Sequence, residues 1–384
     1  MQPIRRIRDL LREWAQDVEV LPAAGGALEE LQRPDIEEVD DRLLGTEENI
    51  HDTVWERLPA GKRIDPKCPY RPTPPCYRRE RHLFRYFIDG SVRSYFLGTV
   101  LEHDRDTPIL YAQIGACALR REDDGTVRVH DLQTRHLLLA EQQQLSPQAW
   151  GRLQSLCTRN SVVLVDTSPN QPGAMGMDPR NRANGVARFR MRSLEGEIMR
   201  QLLPHLGDEW LIMDGSLMFD PIRRILQSAQ TQQLFQQQGG IPSVLGVSKN
   251  FRKDPQFSVR RSPRAVRYSI YRLLAQLPHE HRTLAFKALD GQVAFWDVRL
   301  RPQEAMDYPL MGVVKCELVT PDQQPVDSRL LDELSCALVA ERSVSPHGRD
   351  RRWHAHLYPI YLAEQAIRSR FYSHEVVRQL MRWR

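Results

Sequence analysis

The sequence predicts an α/β fold: a mixed β-sheet flanked by helices, preceded by an N-terminal helical and extended arm. Three observations carry this. Apolar, β-branched runs cluster between residues 83 and 167 and are separated by turn signals, as in successive hairpins. From residue 191 onward, helical periodicity alternates with short apolar runs. Before residue 81, an amphipathic helix is followed by a stretch rich in Pro, Gly and charge.

In the first segment, Ile4, Ile7, Leu10, Leu11 and Trp14 recur at helical spacing, with a basic outer face. Residues 21–80, including AAGG, RPD and DPKCPYRPTPP, read as an extended arm, with a second helix around Glu47–Leu58. Residues 1–80 are therefore expected to serve partner docking or dimerisation, because the apolar stripe needs a surface to cover it. Packing on the chain's own domain would cover it equally well. Residues 81–384 form the expected core domain with insertions.

In the core, LFRYFIDGSV reads as a strand ending at Asp-Gly. SYFLGTVLEHD, PILYAQIGACALRRE and TVRVHDL follow as antiparallel strands, then SVVLVDT at 161–167. MRSLEGEIMRQLLPHL (191–206) is helical, and EWLIMDGSL (209–217) is a buried strand ending at a second Asp-Gly. A helix over about 221–237, a strand in SVLGVSKNF and a helix in PRAVRYSIYRLLAQL come next. TLAFKAL, VAFWDVRL and LMGVVKCELV are strands, LLDELSCALVAER is a helix, and the chain closes in helical pattern from Tyr358. There is no internal repeat; QSAQTQQLFQQQGG is a Gln-rich patch.

Composition sets outer limits. The 384 residues carry a net charge of +5, and most of the 54 basic residues are Arg, which suits bidentate phosphate contact. No apolar run is long enough to cross a membrane. The charged N-terminus lacks the apolar core of a signal peptide, so a cytoplasmic location is expected. The six cysteines fall in no zinc-site spacing and are expected to be buried thiols. GxSxG, the Walker pattern and a GxGxxG opening a helix are all missing, which argues against an α/β-hydrolase and against an ATPase.

Three acids stand out. Asp89 in FIDGS and Asp214 in LIMDGSL each follow an apolar strand and precede Gly-Ser, so they are expected at strand ends, on rigid elements. A plain turn role for each Asp-Gly is the alternative. Glu195 shares a helical face with Met191, Ile198 and Leu202, so its carboxylate is expected to face inward, bound to metal or paired with an arginine. Oxygen donors favour Mn²⁺ or Mg²⁺. Two such ions, about 3.5–4 Å apart, activate water and stabilise the leaving oxygen in phosphodiester cleavage.

These residues resemble the NurA-type DNA-repair nucleases, partners of a hexameric HerA-type ATPase. The matching pieces are FIDGS (87–91), MRSLEGEI (191–198), LIMDGSL (211–217), GVSKNF (246–251) and YPIYLAEQA (358–366), in family order. The resemblance implies an RNase H-like, PIWI-related fold. It also implies manganese-dependent resection of DNA ends by a homodimer docked on the ATPase ring, in repair or in antiphage defence. Asp89, Glu195 and Asp214 would be metal ligands, and Lys249 would lie near the metal or scissile phosphate. The family carries a His shortly after its Tyr-Pro pair, where this chain has Gln365 and Ala366. His356 is assigned to the catalytic set in its place, with His354 and Glu364 as alternatives.

Arg252, Lys253, Arg260, Arg261, Arg264 and Tyr268 combine basic and aromatic side chains and are the expected nucleic-acid contacts. A solvated charged face would look the same. The expected function is metal-dependent cleavage of DNA; the rival is a catalytically weak or inactive subunit that binds DNA or the ATPase.

Overall fold

The computed structural model describes residues 2–23, 51–62, 69–73, 82–169, 178–237, 243–249, 256–258, 267–305, 307–344 and 353–380. Helix α1 (Gln2–Trp14) opens the chain, followed by strand β1 (Glu19–Pro22). Strands β2 (His51–Val54), β3 (Glu56–Arg57) and β4 (Tyr70–Pro72) come next. Where a helix is expected around Glu47–Leu58, the described part is β2 and β3, each paired elsewhere in the chain. The early segments are thus built into the fold rather than held apart as an arm.

The meander consists of β5 (Phe84–Glu102), β6 (Arg105–Arg121) and β7 (Val127–Ala140). Two expected strands, around residues 83–92 and 94–104, are one 19-residue strand. Asp89-Gly90 is therefore not a turn: both residues lie inside β5, paired with Cys117 and Ala116 of β6. Backbone pairing to β6 on both sides of Gly90 overrides the local turn preference.

Helix α2 (Pro147–Arg159) leads to β8 (Val163–Asp166), parallel to β7. Helix α3 (Pro179–Leu202) starts where Asp178 accepts the N–H groups of Arg180 and Asn181 at 3.0 Å, with Pro179 in the first turn. Strand β9 (Trp210–Asp214) is parallel to β5, and β10 (Val244–Ser248) is parallel to β9. Between them the expected single helix is two, α4 (Asp220–Leu226) and α5 (Ala229–Gln237).

After β11 (Gln256–Ser258) and β12 (Arg267–Ser269), a two-stranded hairpin, α6 covers Ile270–Ala275. The helix expected from Pro263 thus begins later, because Arg267–Ser269 pair as a strand. Strands β13 (His281–Thr283), β14 (Phe286–Ala288), β15 (Val293–Arg299), β16 (Val313–Val319) and β17 (Val326–Asp327) precede α7 (Ser328–Ala340), α8 (Tyr358–Arg368) and α9 (His374–Leu380).

Among the described residues, thirteen strands form one mixed sheet with the order β2-β14-β15-β16-β10-β9-β5-β6-β7-β8, joined at its sides by β1, β4 and β13. Alternation along the strands splits the core between two faces. One face buries Ile88 and Met213 against Leu194 and Ile198 of α3. The other buries Phe87, Ile212 and Val247 with Leu334 of α7 and Ile360 and Ala363 of α8.

A third cluster lies under α1, where Ile4, Ile7, Leu10, Leu11 and Trp14 are at most 1% exposed. They pack with Tyr95, Tyr111 and Leu153, and Trp14 Nε1 donates to the Ala149 carbonyl at 3.1 Å. The stripe read as a docking surface is therefore covered by the chain itself. The four described cysteines are buried free thiols; Cys68 and Cys76 lie outside the described residues. No helix of the described residues is long and apolar enough to cross a membrane.

Candidate active site

Strand β9 stops at Asp214 while β5 runs on. The register pairs Phe87 with Ile212 and Ile88 with Met213, so Asp89 stands one step beyond the last pair, beside Asp214. Asp89 alternates with Ile88, and Asp214 with Met213, so both carboxylates belong to the α8 face of the sheet. Asp214 sits at the strand end expected of it. Asp89 does not end its own strand; it lies where its neighbour ends.

Asp89 is 6% exposed, and its Oδ1 accepts the Gly90 N–H at 2.7 Å. Burial, and then the neighbouring charge of Asp214, push its carboxyl well above the usual carboxylate range. Burial pushes the Asp214 carboxyl up as well. Lys249 outweighs that effect through its charge and a hydrogen bond from Nζ to Oδ2 at 2.9 Å, and Asp214 is held below its ordinary value. The end of β10 thus brings Lys249, one residue past the strand, to Asp214.

Glu195 arrives from the opposite face. Its helix lies over β5, and its Oε1 is so close to Gly90 that a Cβ there would clash with it. Gly90 serves close approach, not a turn. Glu195 is 1% exposed and ion-paired with Arg192, three residues earlier on α3. Burial pushes its carboxyl up to about 7, against the pull of Arg192. Arg192 Nη1 also donates to the Asp214 carbonyl and Nη2 to the Ser216 carbonyl at 3.0 Å. Gly215, at φ +95°, turns the chain there, and a Cβ on it would press on the guanidinium at 3.0 Å.

The three candidates for a fourth group separate. His354 is a packing residue: it accepts the Gly312 N–H at 3.0 Å and lies edge-on to Trp353. His356, 3% exposed, is close enough for its charge to lower the Asp214 carboxyl. Glu364 is close enough to raise that of Asp89, and forms an ion pair with Arg368 at 2.6 Å.

Arg252, Lys253, Arg260, Arg261 and Arg264 lie outside the described residues; Tyr268 falls on β12, opposite Phe257.

Sequence reasoning missed a second charged layer. Glu317, fully buried on β16, accepts Ser216 Oγ at 2.7 Å and the Leu217 N–H at 2.8 Å. Lys315 Nζ lies 2.7 Å from its other oxygen. Asp297 on β15, opposite Lys315, is 1% exposed, and neither of its oxygens has a hydrogen-bond partner among the described residues. The signal was present: VAFWDVR and VVKCELV each place charges inside otherwise apolar strands. Arg192 was legible too, as an i,i+3 partner of Glu195.

The donor chemistry suits a hard divalent cation: buried Asp89 and half-buried Asp214 offer adjacent carboxylate oxygens. As they stand, no three His, Cys, Asp or Glu side chains of the described residues are grouped closely enough to hold an ion. Binding one calls for Lys249 to yield Asp214 Oδ2 and, if Glu195 joins, for that carboxylate to leave Arg192.

Compared with known proteins, the chain matches no protein-family model and no curated protein.

Proposed function

We propose that this chain is a metal-dependent DNA nuclease of RNase H-like fold. The observation that carries the reading is the pair of aspartates, Asp89 and Asp214, side by side on adjacent parallel strands with Lys249 against them. The strand order supports the fold assignment: three antiparallel strands (β5, β6, β7) with β8 at the edge beside β7, then β9 parallel beside β5 and β10 parallel beside β9. The three acids come from β5, α3 and β9, and they are the residues that the NurA-type resemblance names as metal ligands.

In this reading Asp89 and Asp214 hold Mn²⁺ or Mg²⁺, with Glu195 reaching over Gly90 and Glu364 or His356 completing the set. The bound ions supply a polarised water and neutralise charge at the phosphate. Lys249, released from Asp214, places its ammonium beside the phosphate oxygens and stabilises charge developing there. His356, buried and near enough for its charge to act on Asp214, stands beside the same carboxylate. The α3 face and α8 shield the acids from bulk water, which strengthens each of these interactions. DNA as substrate, the HerA-type hexameric ATPase as partner and a homodimer follow from the resemblance and from the basic, Arg-rich composition.

The second reading is an inactive binding subunit. It draws on the pairing of Glu195 with Arg192 and of Asp214 with Lys249, which closes the site to a cation. End-labelled linear DNA with Mn²⁺, with and without the ATPase partner, tests both readings. Cleavage lost in folded Asp89→Asn and Asp214→Asn supports the nuclease. Absence of metal-dependent cleavage in every condition, or cleavage unchanged in the variants, rejects it.

A further inference from the structure

The turn carrying Asp214 is gripped from two sides by opposite charges. From the helix side, Arg192 donates to the carbonyls of Asp214 and Ser216. From the sheet side, Glu317 Oε2 takes Ser216 Oγ and the Leu217 N–H, at 2.7 and 2.8 Å. A cation therefore holds the turn's acceptors and an anion holds its donors. Lys315 stabilises that anion at 2.7 Å and stands opposite Ser248, one residue before Lys249.

Glu317 is 0% exposed, and its neighbours Val314, Cys316, Leu318 and Val319 are apolar. A carboxylate in that place carries a desolvation cost that an apolar residue would not. Its partners among the described residues are Ser216, Leu217 and Lys315, so its oxygens serve the turn and the lysine. Because the turn begins at Asp214, a shift in it moves one of the two aspartates relative to Asp89.

We propose that Glu317, charged by Lys315, is a positioning residue that fixes the Asp214–Ser216 turn and thereby the spacing of the two aspartates. Its catalytic consequence rests on the nuclease reading; its structural half does not. The test uses the full chain with Glu317→Gln and the double variant Glu317→Gln/Lys315→Met, reading two quantities. Hydrogen exchange at the Leu217 amide should rise about tenfold in Glu317→Gln, as a bond to a charged acceptor is weakened. The kcat for linear DNA with Mn²⁺ should fall about 10- to 100-fold with KM for DNA unchanged. The double variant should regain part of both, because the glutamine amide no longer faces an ammonium; a merely structural role would leave the two losses additive.

Unchanged Leu217 exchange, or raised exchange with unchanged kcat, overturns the proposal. Should the wild type show no metal-dependent cleavage, the nuclease reading fails, and the exchange measurement alone decides the clamp. If Glu317→Gln does not fold, Ser216→Ala removes the hydroxyl limb of the same grip; its Leu217 exchange and kcat must then move in the same directions, or the proposal falls.

Discussion

Lys249 Nζ stands 2.9 Å from Asp214 Oδ2, on the oxygen a cation would need. One ammonium thus acts on both aspartates, and burial together with the charge of Asp214 still pushes Asp89 well above the carboxylate range.

Removing the ammonium should separate binding from turnover. In Lys249→Met, Mn²⁺ has no competitor at Asp214, so calorimetric titration should give a tighter dissociation constant than the wild type. Cleavage should nonetheless slow, because the charge beside the phosphate is gone. Weaker Mn²⁺ binding in the variant would show that Lys249 does not compete for that oxygen.

The fourth group can be assigned by comparing three variants. Glu364→Gln and His356→Ala should each slow cleavage about tenfold or more, since each acts on one of the aspartates. His354→Ala should lower the thermal midpoint, by leaving the Gly312 N–H without its acceptor, and keep the rate per folded molecule. A rate loss in His354→Ala without a change in stability would reverse the assignment.

Trp14→Ala should cost about 3–5 kcal/mol in urea unfolding, as a fully buried indole leaves a cavity and the Ala149 carbonyl loses its donor. An exposed docking residue would cost almost nothing. A Trp14→Ala protein as stable as the wild type would mean that α1 does not pack where it is described.

Asp297 should make stability depend on pH. Burial, together with Glu317, pushes its carboxyl up to about 7, against the pull of Lys315. The folded state then holds a proton that the unfolded chain releases near pH ~4. Stability should therefore fall as pH rises from ~4 to ~7 and stay flat in this respect above that. Asp297→Asn removes the dependence and should gain on the order of 2–4 kcal/mol relative to the wild type above neutrality. Parallel pH–stability curves for the two proteins would contradict the buried titration.

Much of the framework was legible in the sequence, because β9, β10, β15 and β16 are short, nearly continuous apolar runs buried on both faces and α7 carries an apolar stripe. Asp89 and Asp214 were legible as acids on apolar strands, while Lys249, one residue past the end of β10, was singled out only through the family resemblance. What failed was local grammar. Asp-Gly at 89–90 has the composition of a turn, but pairing with β6 carries the strand straight through it. The turn-rich arm hid β2, β3 and β4, whose partners lie more than 200 residues away in sequence and leave no local trace. The grip of Arg192 and Glu317 on the Asp214 turn was unreadable for the same reason: it joins residues of α3, β9 and β16 that are close only once the sheet has formed.

Strand β5, at about 3.3 Å per residue, is a member roughly 60 Å long with Asp89 as its sixth residue. Its far half is clasped by β1 and lies over the cluster beneath α1. Between that clasp and Asp89 a β-bulge at Phe96/Gly98 interrupts the pairing with β6, and a bulge bends its strand. The stretch that carries Asp89 and the stretch under α1 are therefore two arms of one strand that meet at a bend.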